Sequence, residues 1–236
     1  MKNLQDTLPL LQPHQLLLGV DQNGIIIHQD PTSLTMRSWL AIGDSGCGKT
    51  HLLRQAAISA LEKDVDDSLR IIVATQKPEE WSDIRENRAV SLCIDPSDEG
   101  FGKIIKEIAS YIYDVGKEPF AVYPLNTLLL IDDIFAFIGR GLRRSSTEYI
   151  NQFGPRAQTY IIGTLDYNCY QKNQLEGSVL LFQQLLFGRM PFHRYFYIQY
   201  HVTGATRLPC ELMPGEFLMV DGHNQPEKLI RTLPIK

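Results

Sequence analysis

The sequence lacks any apolar segment long enough to cross a lipid bilayer. Its apolar stretches fall far short of the ~20 residues that a spanning helix needs. The first residues, MKNLQD, also lack the basic start and apolar centre of a signal peptide. We therefore expect a cytosolic protein without a membrane span.

The sequence also lacks paired cysteines. Its four cysteines are scattered, without a C-x-x-C pair: Cys47, Cys93, Cys169 and Cys210. Zinc sites and disulfide frameworks depend on closely spaced or numerous cysteines, so neither is predicted here. The 236 residues are most simply one α/β domain with a sizeable core.

An excess of positive charge is missing as well, since the net charge is −4. This argues against a generally basic, nucleic-acid-coating protein. The charge is nevertheless uneven: residues 62–100 are rich in acids, whereas residues 139–156 carry Arg140, Arg143, Arg144 and Arg156 against the single acid Glu148. This pattern suits a protein that contacts phosphates on one surface only.

The segment 43–50 reads G-D-S-G-C-G-K-T and fits the P-loop pattern G-x-x-x-x-G-K-[ST]. An apolar strand pattern precedes it at 39–42 and a helix pattern follows it at 51–57. Its glycines allow backbone N–H groups to point at phosphate oxygens beside a helix N-terminus. Lys49 is predicted to reach the β- and γ-phosphates and Thr50 to bind Mg²⁺. The predicted nucleotide-binding residues are Gly43, Asp44, Ser45, Gly46, Cys47, Gly48, Lys49, Thr50 and His51.

Two alternatives accompany the P-loop interpretation. The segment could be a glycine-rich turn that binds nothing, although the flanking strand and helix favour the phosphate loop. Cys47 could be an oxidation-sensitive thiol or a small packing residue, and we favour packing.

A second motif follows about 80 residues later. Residues 127–131 are apolar or β-branched and predict a buried strand of a parallel sheet, which ends in Asp132 and Asp133. Ligands of open α/β sheets bind at such strand ends. Asp132 is predicted to hold Mg²⁺ through water, and Asp133 to orient the attacking water. The alternative is an Asp-Asp pair that only caps the helix from Ile134.

Strand and helix patterns alternate along the chain, which predicts an α/β fold with a mostly parallel sheet flanked by helices. We expect β-hairpins at 16–28 and 214–231, a one-sided helix from Phe101 to Ile112, and helix over 134–153 with a break near 139–141. We also expect helix at 175–186 and strands at 70–75, 90–94, 160–165 and 194–199. Residues 1–14 are assigned to an N-terminal tail.

The order of these motifs resembles the motor domain of the FtsK–HerA superfamily of DNA-pumping ATPases. A hairpin leads into the P-loop strand, and A-T-Q-K-P-E-E at 74–80 is similar to the family's Asp-Pro-Lys-like phrase, with Lys77 at the lysine. Residues 154–164 are similar to "K-A-R-A-x-x-I-H-L-x-x-A-T-Q", and 190–196 to "I-P-x-R-I-A-F". The resemblance covers residues 15–222. Asp133 replaces the glutamate of FtsK proper, and Leu165 replaces the family's sensor glutamine.

The resemblance implies a RecA-like P-loop NTPase that uses ATP and Mg²⁺, assembles as a homo-oligomer of six subunits, and moves double-stranded DNA. The catalytic residues would be Lys49, Asp132, Asp133 and Arg194, with Arg194 as the arginine finger and Arg189 and Arg156 as rivals. The loop 139–144 would bring the DNA-contacting Arg140, Arg143 and Arg144 to a central channel, unless it is simply a solvated loop. The protein would be cytoplasmic or virus-associated.

Several alternatives stay open at this point. The motifs do not separate genome packaging, conjugation and segregation, and the recruiting partner is not indicated. A rival reading is an AAA- or RecA-like ATPase that remodels complexes without translocating. Another is an ATP-binding switch subunit in which Asp133 fails to position water.

Overall fold

A computed structural model describes residues 3–33, 36–93, 99–117, 126–137, 144–167, 182–191, 209–221 and 228–235. The helices are α1 (Leu4–Thr7), α2 (Lys49–Glu62), α3 (Glu99–Lys117), α4 (Ile134–Phe137) and α5 (Arg144–Phe153). The strands are β1 (Leu16–Val20), β2 (Ile26–Gln29), β3 (Trp39–Gly43), β4 (Leu69–Ala74), β5 (Val90–Cys93), β6 (Asn126–Ile131), β7 (Thr159–Asp166), β8 (Gln184–Phe187), β9 (Glu216–Asp221) and β10 (Lys228–Arg231).

These strands form one mixed sheet in the order β2-β1-β10-β9-β8-β3-β7-β6-β4-β5. The six strands from β8 to β5 run parallel to one another. The other four extend the sheet beyond β8 in antiparallel fashion. The predicted mostly parallel sheet and both terminal hairpins are therefore confirmed.

Helices cover both faces of the sheet. Successive side chains of a strand point to opposite faces, and here both sets are apolar, so each face needs a cover. On one face, Phe101, Ile105 and Ile108 of α3 pack in a buried cluster with Ile72 and Leu129 of the sheet. On the other face, α2 packs against strand residues of opposite parity, and this cluster comprises Leu52, Leu53, Ala56 and Ala57 with Trp39, Ala41, Ile71, Val73, Leu128 and Leu130. The predicted apolar stripe of α3 is thus part of the core.

Two sequence predictions were wrong. A helix was expected at 175–186, but residues 184–186 belong to strand β8, which pairs in parallel with β3. A short apolar run does not distinguish a buried helix from a buried strand. The expected N-terminal tail is folded from α1 onwards, with Leu4 and Leu11 buried against Leu17 and Leu233.

Other expectations fall partly outside the described residues. The strand predicted at 194–199 and most of the helix predicted at 175–186 lie there. The helix predicted over 134–153 consists of α4 and α5, and the residues between them, 138–143, are outside the described part. Within the ranges given above, no helix is both long and apolar enough to cross a membrane.

The sheet order places four strand ends side by side. Strands β3, β7, β6 and β4 are consecutive neighbours, and their carboxyl ends lie at the same edge. In open α/β sheets this edge is where ligands bind. The P-loop follows β3, and the two aspartates follow β6.

Candidate nucleotide site

The P-loop turns sharply between β3 and α2. Gly46 and Gly48 adopt φ angles of 76° and 99°, which glycine reaches without the steric cost that other residues incur. A side chain at Gly48 would also approach the backbone of Gly215, since an added Cβ would lie 3.1 Å from the Gly215 nitrogen. Helix α2 begins directly after Gly48, so its N-terminal N–H groups and positive dipole end lie at the loop.

The ammonium group of Lys49 lies back against its own loop. Its Nζ donates to the carbonyl oxygens of Gly43 at 2.8 Å and Asp44 at 2.9 Å. The carboxylate of Asp166, at the end of β7, is 3.9 Å away. The lysine is thus mostly buried, at 11% side-chain exposure, and its charge is balanced from across the site.

Asp132 is held between two hydroxyl groups. The Thr50 hydroxyl lies 3.0 and 3.1 Å from its two carboxylate oxygens, and the Thr164 hydroxyl lies 3.1 Å from Oδ1. Burial raises the pKa of Asp132, and the hydrogen bonds from Thr50 and Thr164 lower it in part. The residue is 9% exposed, and its carboxylate has a cost of burial that a bound cation would reduce.

Asp133 has an unusual backbone conformation, with a φ angle of 64°. Its N–H donates to the Thr164 hydroxyl at 2.8 Å, which fixes this conformation. Burial raises the pKa of Asp133, and the charges of Asp166 and Asp132 raise it further. Its Oδ1 is buried with no hydrogen-bond partner among the described residues. Non-glycine residues with positive φ and orphaned oxygens are concentrated at functional sites.

The capping alternative for the two aspartates is also visible. The amide of Phe135 donates a hydrogen bond to the Asp133 carboxylate, as at a helix N-cap. Asp132 instead points to Thr50 and Thr164. Capping therefore accounts for one contact of Asp133 and for none of the side-chain contacts of Asp132.

These groups surround one cavity of about 350 Å³. The predicted residues that line it are Ser45, Gly46, Gly48, Lys49, Thr50, His51, Asp132 and Asp133. Six further lining residues were not among the predicted site residues, although Lys77 belongs to a quoted family phrase: Thr75, Gln76, Lys77, Glu80, Thr164 and Asp166. The Lys77 ammonium lies 3.4 Å from Glu80 at the rim. The cavity thus joins the P-loop to the ends of β4, β6 and β7.

Thr164 and Asp166 could have been anticipated from one signal. Both lie at the carboxyl end of a predicted strand, where polar side chains in α/β proteins tend to serve ligands. The sequence does not reveal that β7 lies between β3 and β6, and this sheet order is what brings them to the P-loop.

Cys47 packs beneath the P-loop against Gly43 and Gly188. Cys47 is fully buried, and burial raises the pKa of its thiol, which makes it unreactive. A Cβ added at Gly43 would lie 2.6 Å from its sulfur, and one added at Gly188 would lie 2.8 Å away. The Asp44 N–H donates to the Arg189 carbonyl at 3.0 Å. These contacts favour packing, rather than oxidation sensing, as the role of Cys47.

His51 connects the loop helix to the C-terminal segment. Its Nε2 lies 2.7 Å from the carbonyl oxygen of Leu233, while the Leu233 N–H donates to Gln55 at 2.6 Å. His51 also borders the cavity. Its predicted role in nucleotide binding stays a prediction, next to this structural contact.

The predicted finger and DNA-contacting arginines mostly lie outside the described part. This applies to Arg194, Arg140 and Arg143, and to the side chain of Arg144, the first residue of α5. Of the rival fingers, Arg189 is exposed directly after β8, and its carbonyl braces its own P-loop. Arg156 is exposed on the 3-10 helix Gly154–Ala157. The finger assignment stays a prediction.

No known protein family and no curated protein sequence matches the chain. Solved structures do. ATPases 2 and 3 of Thermomonospora curvata EccC, in complex with a signal sequence peptide, have a TM-score of 0.76 and 14% identity, over 95% of this chain and 41% of that one. The pCW3 conjugation coupling protein TcpA with ATPγS has a TM-score of 0.63 and 12% identity, over 94% and 66%. The genome packaging NTPase B204 of Sulfolobus turreted icosahedral virus 2, also with ATPγS, has a TM-score of 0.54 and 14% identity, over 87% of this chain and 100% of that one.

These structures are ATPases of the FtsK–HerA type that the motifs resemble, and the RecA-like P-loop ATPase fold is confirmed. At 14% identity or less the likeness concerns the fold alone. The chain spans 41% of the length of the EccC chain and 26% of the longer cytoplasmic EccC domain.

Proposed function

We propose that the chain is a Mg²⁺-dependent ATPase that works as an oligomeric motor on double-stranded DNA. The observation that carries the nucleotide assignment is the meeting of Thr50 and Asp132 at 3.0 Å, beside Lys49, on one cavity. A glycine-rich turn without a ligand has no reason to bring a buried carboxylate to the first turn of α2. The fold of the neighbouring ATPase structures supports the same reading.

Phosphate groups would be bound by the loop and by Lys49. The N–H groups at the start of α2 border the cavity and offer donors together with the helix dipole. Lys49 would exchange its loop carbonyl partners for phosphate oxygens and stabilise the charge that develops during transfer.

The residues present fit a magnesium ion. Thr50 and Asp132 offer the hydroxyl and carboxylate oxygens that Mg²⁺ prefers, and phosphate oxygens and water complete such sites. When bound, the ion would neutralise phosphate charge during transfer. Asp132 would hold it, and Thr164 would keep the Asp132 carboxylate oriented from the other side.

Asp133 would orient the attacking water. Asp133 lines the cavity, and its Oδ1 has no partner among the described residues; because this oxygen is buried, the side chain would have to turn to present it to a water molecule. Thr164 joins the two aspartates, because it donates to Asp132 and accepts from the Asp133 N–H. Asp133 is one methylene shorter than the glutamate of FtsK proper. We therefore expect slower hydrolysis than a glutamate would support.

The DNA and assembly parts of the proposal rest on the resemblance and on the neighbours. TcpA is a conjugation coupling protein and B204 a genome packaging NTPase by their descriptions. Arg140, Arg143 and Arg144 would contact phosphates, which gives grip without sequence preference. A ring of subunits, six by the resemblance, would gather these arginines around one duplex, and Arg194 would reach the neighbouring site.

A second candidate cargo is a polypeptide. The EccC structure has the higher TM-score, 0.76 against 0.54 for B204, and it contains a signal sequence peptide. A motor of this fold could therefore act on protein rather than DNA. DNA-stimulated turnover separates the two candidates, because only a DNA motor is expected to respond to duplex DNA.

The test of the nucleotide assignment is ATP turnover with and without Mg²⁺. Lys49→Ala should abolish it, because the charge that stabilises the transferring phosphoryl group is lost. The matched control is Lys63→Ala, which removes the same charge at the opposite end of α2. Near-normal turnover by folded Lys49→Ala protein would overturn the assignment.

A further inference from the structure

Asp166 is an acidic residue fixed at the centre of the proposed phosphate site. It ends β7, and in the parallel pairing of β3 with β7 it is the register partner of Gly43, the first residue of the P-loop. The next residue, Tyr167, is fully buried and anchors the strand end. The position of Asp166 is therefore set by the sheet rather than by a loop.

The Asp166 carboxylate faces the P-loop lysine. Its Oδ2 lies 3.9 Å from the Lys49 Nζ, and the two side chains are only 22% and 11% exposed. Attraction between charges is weakly screened at such exposure. Together with the carbonyls of Gly43 and Asp44, Asp166 holds the ammonium group back on the protein.

A nucleotide phosphate must compete with this arrangement. Lys49 cannot bind phosphate oxygens closely while it stays in its contacts with the loop carbonyls. Once it moves, Asp166 is left beside negatively charged phosphates, and like charges in a partly buried site repel. The carboxylate thus opposes phosphate binding twice, by retaining the lysine and by repelling the ligand.

We propose that Asp166 is a positioning residue that competes with nucleotide phosphates for Lys49, and so weakens nucleotide binding and speeds the release of ADP. This inference rests on the proposed function, since it assumes that the cavity binds nucleotide phosphates. A cycling motor must discard ADP in every turn. A carboxylate that recaptures Lys49 would help to empty the site.

The sign of the effect distinguishes this role from a structural one. Asp166→Asn removes the charge but keeps the size, and we expect ADP and ATPγS each to bind roughly two- to fivefold more tightly, the upper part of the range measured for single ion pairs. Loss of a merely structural contact would weaken binding. In steady state, the KM for ATP should fall while kcat does not rise, because ADP leaves more slowly.

Two companion variants test the cause. Asp166→Glu keeps the charge and should bind nucleotide about as the wild type does. Asp166→Ser removes the charge with a different side chain and should reproduce the tightening. The matched control is Glu79→Gln, because Glu79 is an exposed acid on the 3-10 helix Pro78–Trp81 that does not line the cavity.

Isothermal titration with ADP and with Mg²⁺–ATPγS measures whether the charge of Asp166 weakens nucleotide binding. Thermal melts first show that each variant is folded. Tighter binding by Asp166→Asn and Asp166→Ser, with Asp166→Glu and Glu79→Gln near the wild type, is the expected result. If the wild type binds nucleotide and the uncharged variants bind no tighter, this inference fails and the proposed function stands. Equal tightening by Glu79→Gln would also overturn it. If the wild type binds neither probe, the proposed function fails first.

Discussion

The Thr50 hydroxyl oxygen lies 3.0 and 3.1 Å from the two carboxylate oxygens of Asp132, although the two residues are 82 positions apart in the sequence. The contact joins the first turn of α2 to the end of β6. It places the two predicted magnesium ligands on the same side of one cavity.

The two aspartates should have separable roles. Asp132→Asn should lose Mg²⁺-dependent turnover, because the anionic ligand is replaced by a neutral one. Asp133→Asn should keep ATP binding, but its hydrolysis rate should fall by roughly a hundredfold or more relative to the wild type, because only the water-orienting carboxylate is lost. ATPγS titration and steady-state turnover measure the two effects. Normal hydrolysis by Asp133→Asn would show that another carboxylate orients the water, and Glu80, which also lines the cavity, would be the next candidate.

The nucleotide-free protein should become more stable when Asp132 is neutralised. Burial raises the pKa of this carboxyl above its ordinary value of 3.8, so the folded state binds protons more tightly than the unfolded state does. Stability should therefore fall as pH rises from about 3.8 through the raised pKa. Asp132→Asn should remove this loss and raise the melting temperature at neutral pH by roughly 2–4 °C, the effect of about 1 kcal/mol in a chain of this size.

The control for this prediction is Asp114→Asn, because Asp114 is exposed on α3, with 73% side-chain exposure. It should leave the melting temperature almost unchanged. A lower melting temperature for Asp132→Asn without nucleotide would contradict the account. In the pH profile of kcat/KM, which reports the free enzyme, the raised pKa values of Asp132 and Asp133 should bring the loss of activity to a higher pH than ordinary carboxyl groups would, as both take up protons.

The packing beneath the P-loop offers a test by suppression. Gly43→Ala should destabilise the loop, since the added Cβ would lie 2.6 Å from the Cys47 sulfur. Cys47→Ala removes that sulfur and should restore part of the stability and nucleotide binding of Gly43→Ala. Thermal melts and ATPγS titration of the single and double variants show whether the two changes are coupled. Strictly additive losses would show that Cys47 is not the obstacle.

Much of the site could be predicted because it is local in sequence. The P-loop residues are contiguous, and Asp132 follows a strand that its composition identifies. Thr164 and Asp166 stand at the carboxyl end of a predicted strand, but their contacts with the P-loop and the two aspartates could not be predicted, because these depend on β7 lying between β3 and β6. The burial of Leu4 and Leu11 was missed for a similar reason: the C-terminal Leu233 forms part of the surface that covers them. Strand β8 was missed because its short apolar run has no distinguishing period.

The finger assignment predicts a defect that appears only in the assembled protein. Arg194→Ala should bind ATPγS normally and fail to hydrolyse ATP, because the stabilising charge for the neighbouring subunit is absent. Arg189→Ala and Arg156→Ala are the matched comparisons, and they should keep most of the turnover. Mixing wild-type protein with Lys49→Ala protein should reduce activity more than in proportion to the inactive fraction. Loss of turnover in Arg189→Ala alone would transfer the role to Arg189.

The central claim is that ATP hydrolysis at this site is coupled to double-stranded DNA. The most direct measurement is the ATP turnover of the wild type with and without duplex DNA at low and high salt. The account predicts stimulation by DNA of any sequence that falls steeply with salt. The stimulation should be lost when Arg140, Arg143 and Arg144 are all changed to Ala, while basal turnover remains. Turnover that is indifferent to duplex DNA, from a protein that stays monomeric at high concentration with ATP, would contradict the motor and favour the nucleotide switch.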